Sequence, residues 1–334
     1  MLLPMPMDMP FLLRFALEGL ASMDTAHCRQ ILVIPDGNGE DGGAALRDVV
    51  SEFTDPRIQF VEIGPKDRLV SRKLGVSGSH WMTIVKGASC ATAQYIFLHD
   101  SDSFFLDAEF LEQQYRQCVE GGLYTLGVES RWDPSFTEIG YSLPGTWELM
   151  FSNRWIRSRL PGNAKAMLHQ TPHGPIMFDT LLYAQYLDFK SGKIRVAEGA
   201  NRIVHFSATI ITYREFRRRT GKCVADMLFR ILFLALLETV VPAQKGRLLP
   251  AVEELAKGLT DASRPVHYRV EGIDQDYAEF RGMIDQLCGA PIIKGARADR
   301  LRELLVPFDT HFAAALENAK SGERVAKLRE HGLG

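Results

Sequence analysis

The sequence predicts an α/β fold: a mixed, mostly parallel sheet covered on both faces by helices, followed by a helical region toward the carboxyl end. Three observations predict it. Short apolar, β-branched runs alternate with helical patterns through the first third of the chain, which is the signature of a parallel sheet with crossover helices. From Tyr213 onward helix signals dominate. A length of 334 residues allows about two domains, or one large domain with an appendage. The composition, 46% hydrophobic and 24% charged, builds a packed core and excludes disorder and low-complexity assemblies.

The elements follow in order. Phe11 to Ser22 places Leu12, Phe15, Ala16 and Leu20 on one stripe and predicts an amphipathic helix. Ile31 to Ile34 reads as a buried strand, and a glycine-rich turn from Asp36 to Gly43 follows it. A helix is expected over 44–53, a strand over 58–63, a helix over 80–93, and a third strand at Tyr95 to Leu98. Tyr124 to Val128 is a fourth strand candidate. The stretch 130–175, rich in Trp, Pro, Gly and Asn, reads as long loops with one helix near Thr146 to Ile156. A helix is expected over 178–189, broken by Ser191 and Gly192, then strands at 194–197 and 202–206. No internal repeat is visible.

Charge and cysteine usage narrow the class. A net charge of −2 offers no broad field for nucleic acid. The five cysteines are scattered with no CxxC pair, so neither a zinc site nor a disulfide framework is indicated, which fits a reducing cytoplasm. The most apolar run, Met227 to Val241, is interrupted by Arg230 and Glu238 and is short for a membrane span. It reads as a buried helix or as a segment resting on a membrane surface. The amino-terminal stretch lacks a basic start and is broken by Pro4, Pro6 and Pro10, so it does not read as a signal peptide.

The strongest chemical signal is Asp100-Ser101-Asp102, placed directly after the apolar strand at Tyr95 to Leu98. Strand ends in an α/β sheet face the ligand crevice. Two carboxylates there repel each other unless a cation shares them. Hard oxygen ligands suit Mg²⁺ or Mn²⁺, which take their remaining ligands from water and phosphates. The competing view is a solvated turn capping a helix that begins near Asp107.

At these residues the chain resembles the GT-A glycosyltransferases, above all the family 2 group. The resemblance implies a Rossmann-like GT-A sheet and a nucleotide-sugar donor, with a UDP- or GDP-sugar bound through Asp100, Ser101 and Asp102 and a divalent ion. Upstream, the run ILVIPDGNGEDG beginning at Ile31 is similar to the family's strand ending in an acid and a small-residue turn. That implies a base-binding role for Asp36, with Gly37 beside it; a plain Asp-Gly turn is the other view. Downstream, Phe178–Asp179, then Gly192 to Glu198, then Arg202 to His205 look like the family's acceptor helix, strand and terminal histidine. By resemblance Asp179 is the general base of an inverting transfer and His205 a further metal ligand. A helix cap at Asp179 and a structural histidine at 205 are the alternatives. Arg214, with Arg217, Arg218 and Arg219 after it, is a candidate cation for the leaving diphosphate, against a solvated basic helix face.

The pattern also departs from the family. Pro4, at the position of the family's first-strand turn, comes so early that this strand is expected as a stub. The acidic doublet before the acceptor helix is reduced to Phe178–Asp179, and the QxxRW motif of processive synthases is absent. The resemblance implies a catalytic domain over 1–215 (a nucleotide-sugar half, 1–110, and an acceptor half, 111–215) and a helical region over 216–334. It implies a glycan, glycolipid or other hydroxyl acceptor, polysaccharide assembly, and a place in the cytoplasm, peripheral at the inner face of the membrane. Homodimerisation or membrane contact through 216–334 are left open. Three rivals stand beside it. GNGEDG from Gly37, with Glu62 after it, matches a dinucleotide-binding fingerprint and would make an NAD(P)-dependent oxidoreductase. Glu40 and Asp41 oppose a pyrophosphate there. A phosphatase using Asp100 as nucleophile is the second, and a non-catalytic nucleotide-sugar-binding module the third.

Overall fold

The computed structural model describes residues 1–37, 43–129, 136, 139–159, 165–197, 202–218, 227–241, 247–293 and 295–330. The chain divides into two compact units, Met1–Ile203 and Val204–Gly334.

The first unit is built on a seven-stranded sheet. Its strands are β1 (Leu2–Pro6), β2 (Ile31–Asp36), β3 (Ile58–Phe60), β4 (Tyr95–His99), β6 (Thr125–Glu129), β7 (Pro144–Ser152) and β10 (Ile194–Val196), in the order β10-β6-β7-β4-β1-β2-β3. Four neighbour pairs are parallel, and β7 is antiparallel to β4 and β6 on its two sides. The remaining described strands are β5 (Ser103–Phe105), β8 (Met167–Thr171), β9 (Gly174–Phe178) and β11 (Ile203–His205). Helices α1 (Pro10–Leu20), α2 (Ala44–Ser51), α3 (Pro65–Cys90), α4 (Phe110–Gly121), α5 (Asn153–Arg159) and α6 (Leu182–Asp188) complete this unit. The expected mixed, mostly parallel sheet flanked by helices is therefore what the chain forms.

Four local expectations are corrected. The first strand is no stub: all five residues of β1 are buried, and the strand lies in the middle of the sheet between β2 and β4. The helix expected near 146–156 is mostly strand β7, with a helix only from Asn153. Seven of its nine residues are buried, so it lacks the inside–outside alternation that marks a strand, and a fully apolar run cannot be told from a buried helix by period. The helix expected from His80 begins fifteen residues earlier, at Pro65. Proline suits a first helical turn, but Gly75 and Gly78 hide the pattern that follows. The helix expected from Phe178 starts at Leu182, because Phe178 closes β9.

Helix α3 packs closely on the sheet. Trp81, Ile84 and Ala88 enter one core with Leu2, Leu32, Ile34 and Leu98. Gly87 permits the approach: a Cβ there would lie 2.4 Å from Ile34 Cδ1 and under 3 Å from Leu2. The second unit holds α7 (Thr209–Arg218), α8 (Leu228–Val240), α9 (Val252–Gly258), α10 (Asp274–Gly289) and α11 (Ala296–Glu330). Apolar α8 buries Leu228 and every residue from Ile231 to Leu237, and Phe206 stacks on Phe233 at 3.7 Å. No described helix is long and apolar enough to cross a membrane.

Candidate active site

The strand order of the sheet reverses between β1 and β4. The chain runs from β1 through β2 to β3 on one side, then returns to place β4 on the other. Ligands of α/β sheets bind at such a reversal, beyond the carboxyl ends of the strands. The odd residues of β1 face β2: the Met1 carbonyl accepts from Leu32 N–H at 2.9 Å, and Met7 N–H donates to the Asp36 carbonyl at 3.2 Å. The even residues Leu2, Pro4 and Pro6 therefore face β4, and prolines have no N–H to donate. The β1–β4 register holds Leu2 opposite Leu98. Two residues further along the two strands come Pro4 and Asp100, where the ladder lacks its donor. Pro4 itself is buried.

Asp100, Ser101 and Asp102 turn the chain from β4 into β5. Ser103 N–H donates to the Asp100 carbonyl at 3.2 Å, and Asp100 N–H to the Trp147 carbonyl at 3.0 Å. Ser101 is 7% exposed and Asp102 6%, so the turn is not the solvated one of the competing view. A buried carboxylate needs a charged or hydrogen-bonding partner. Among the described residues one group of metal-capable side chains gathers: Asp100, Asp102 and His205, the last residue of β11, each offer a ligand atom within 4.8 Å of the others. The approach to β11 is fixed in the first unit by Leu106 N–H donating to the Arg202 carbonyl at 2.8 Å, and by the Arg202–Asp107 ion pair.

Asp36 ends β2 across from Pro6. Ser79 Oγ donates to its Oδ1 at 2.7 Å, and the same hydroxyl accepts from Gly37 N–H at 3.2 Å. His80 Nδ1 lies 3.7 Å from Asp36 Oδ2. Burial pulls the His80 pKa down, but the Asp36 carboxylate beside it and the charges of Asp100 and Asp179 outweigh burial and hold it at about 9. Ser79 and His80 were not singled out by sequence. They sit inside a helix with no motif around them, and only the fold turns them toward three acids distant in sequence. The fingerprint residues 38–42, with Glu40 and Asp41, lie outside the described residues, as does Arg219.

Asp179 follows β9 and is exposed, with its Oδ1 accepting from Thr180 N–H at 2.7 Å. Helix α6 takes Leu181 as its cap residue with no side-chain cap bond, so Asp179 does not close the helix end. Leu181 is held at φ 69°, a left-handed conformation costly for a branched residue. It is fully buried, and packing in the main core holds it there. Arg214 is half-buried on α7, while Arg217 and Arg218 are exposed.

No family model matches the sequence, and no curated protein matches it. Among solved structures, the mannosyltransferase PcManGT from Pyrobaculum calidifontis in complex with GDP-Man and Mn²⁺ is similar at 10% identity. The match covers 94% of this chain and 84% of that one, with a TM-score of 0.41. TarS 1-349 of S. aureus in complex with UDP-GlcNAc is 12% identical over 96% of this chain and 91% of that one, at 0.40. LgtC, a galactosyltransferase seen with donor and acceptor sugar analogs, is 15% identical over 47% of this chain, at 0.34. This chain spans 58% and 59% of the length of the two LgtC chains it matches. Likenesses at these scores carry no weight for function.

Proposed function

We propose that the protein is a metal-dependent glycosyltransferase of GT-A type that moves a sugar from a nucleoside-diphosphate donor to a hydroxyl acceptor, with inversion. The observation that carries this reading is the Asp100, Asp102 and His205 group at the tip of a central strand, with its ligand atoms within 4.8 Å of one another. Two carboxylate oxygens and an imidazole nitrogen fit Mn²⁺ or Mg²⁺. When bound, such an ion supplies Lewis-acid stabilisation of the departing diphosphate.

The chain's own residues supply the rest. Asp36, oriented by Ser79, accepts hydrogen bonds from a nucleotide base, with Gly37 leaving room beside it. His80 adds a positive charge at the same strand tips, and Arg214 is a second candidate partner for phosphate. Asp179 takes the acceptor hydroxyl's proton as the new bond to the anomeric carbon forms. Attack opposite the leaving group inverts that centre. A bacterial glycan or glycolipid is the acceptor class that the family resemblance suggests, which would place the enzyme at the cytoplasmic side of a membrane.

A donor panel of UDP- and GDP-sugars with Mn²⁺, read by release of nucleoside diphosphate, tests the reading. The wild type should turn over at least one donor. Asp102→Ala should keep its circular dichroism spectrum and lose metal-dependent binding of the nucleoside diphosphate. A folded Asp102→Ala enzyme that transfers at the wild-type rate removes the metal role.

A further inference from the structure

One residue before Asp100, His99 and Glu148 form a buried pair that the transfer chemistry does not use. They are register partners on β4 and β7. The imidazole Nδ1 and the Glu148 carboxylate are hydrogen-bonded, and the side chains are 4% and 0% exposed. Replacing such a buried pair by well-packed apolar residues is often neutral or stabilising. Stability is therefore a weak reason for an acid and an imidazole at this place.

Their position supplies a stronger one. His99 is the last residue of β4, before the acidic turn, and Phe105 lies on β5, just after it. The two rings stack with centroids 4.7 Å apart and planes 7° from parallel. Asp100 N–H donates to the carbonyl of Trp147, the neighbour of Glu148. On the far side of β7, Gly127 lets β6 approach so closely that a Cβ would lie 2.5 Å from the Glu148 carbonyl oxygen. Glu148 is thus fixed from both sides, His99 is fixed by Glu148, and the imidazole ties the entrance of the turn to its exit.

The geometry points to His99–Glu148 as the positioning pair of the acidic turn: it sets the directions in which Asp100 and Asp102 present their oxygens, and so the affinity for a divalent cation that neither residue touches. This rests on the reading that the turn holds a cation. Groups behind metal ligands commonly change affinity by about 10–100-fold when altered.

The test compares Mn²⁺ binding, followed by electron paramagnetic resonance with the metal alone, against thermal unfolding in chelator. Glu148→Gln keeps the side-chain shape. The double variant His99→Phe with Glu148→Leu keeps a ring on Phe105 and removes the polar pair. The double variant should unfold at or above the wild-type temperature while its Mn²⁺ affinity falls about 10–100-fold. Glu148→Gln should weaken binding in the same direction. A purely structural role predicts lower stability with unchanged affinity in the folded fraction. Wild-type affinity in either folded variant overturns the proposal, as does failure of both variants to fold. Absence of Mn²⁺ binding by the wild type is a separate result, which removes the metal reading and this inference with it.

Discussion

His80 shows how the fold charges a residue that carries no motif. Its side chain is 26% exposed and stands 3.7 Å from the Asp36 carboxylate. Burial disfavours its charge, and the charges of Asp36, Asp100 and Asp179 more than restore it, giving a pKa of about 9 against an ordinary 6.5. A folded pKa above the unfolded one means the native state holds the proton more tightly. The stabilisation is complete below about pH 6.5 and drains away as pH rises through about 9. It is worth about 1–3 kcal/mol after allowance for solvent. Urea midpoints in chelator should fall more steeply with pH for wild type than for His80→Gln between those limits. Parallel profiles would show that the three acids do not hold the proton. Asp179 makes a second residue-scale claim. A positioned base is worth about 10²–10⁴-fold in rate, so Asp179→Asn should bind donor normally and transfer at least about a hundredfold more slowly. Unchanged turnover would end its role as base.

At the scale of elements, legibility followed the source of each signal. Strands β2 and β4 were plain because Ile31–Ile34 and Tyr95–Leu98 are short, β-branched or aromatic, and bounded by turns. The acid turn was plain because Asp100 and Asp102 lie one residue apart in sequence. Strand β7 was misread because burial on both faces erases its period, though it carries Glu148 and the carbonyl that holds Asp100. The amino-terminal half of α3 was missed because Gly75 and Gly78 weaken local preference where tertiary contacts decide. Ser79 was lost with it, and His80, though inside the expected helix, carried no local sign of its surroundings: Ser79 meets Asp36 from 43 residues away, and Asp36, Asp100 and Asp179 act on His80 from three separate segments. The prolines of β1 were visible but suggested a truncated strand. Only the register shows that they face β4 instead of ending the strand. His205 was named through a family pattern, because no local spacing joins it to a turn a hundred residues earlier.

For the whole molecule, the balance is between gathering acids and folding at all. Its net charge is only −2, yet Asp36, the pair Asp100 and Asp102, and Asp179 come from three separate segments. Three of them, Asp36, Asp100 and Asp179, act on one imidazole, that of His80. The unfolded chain keeps these segments apart in water, so repulsion between them is a cost of the folded state. A cation that binds the folded state and not the unfolded one offsets that cost through mass action. At a free concentration about a hundred times its dissociation constant, Mn²⁺ should stabilise the protein by about 2.7 kcal/mol. For a folding unit of about 200 residues that is a rise of about 5–10 °C in Tm. Chelator should reverse the rise, and Asp102→Ala should not show it. The sign separates this from general salt effects, because Na⁺ at matched ionic strength screens the acids without bridging them. A Tm that moves equally with both salts, or equally in wild type and Asp102→Ala, would mean that the acidic turn relieves its charge without an ion.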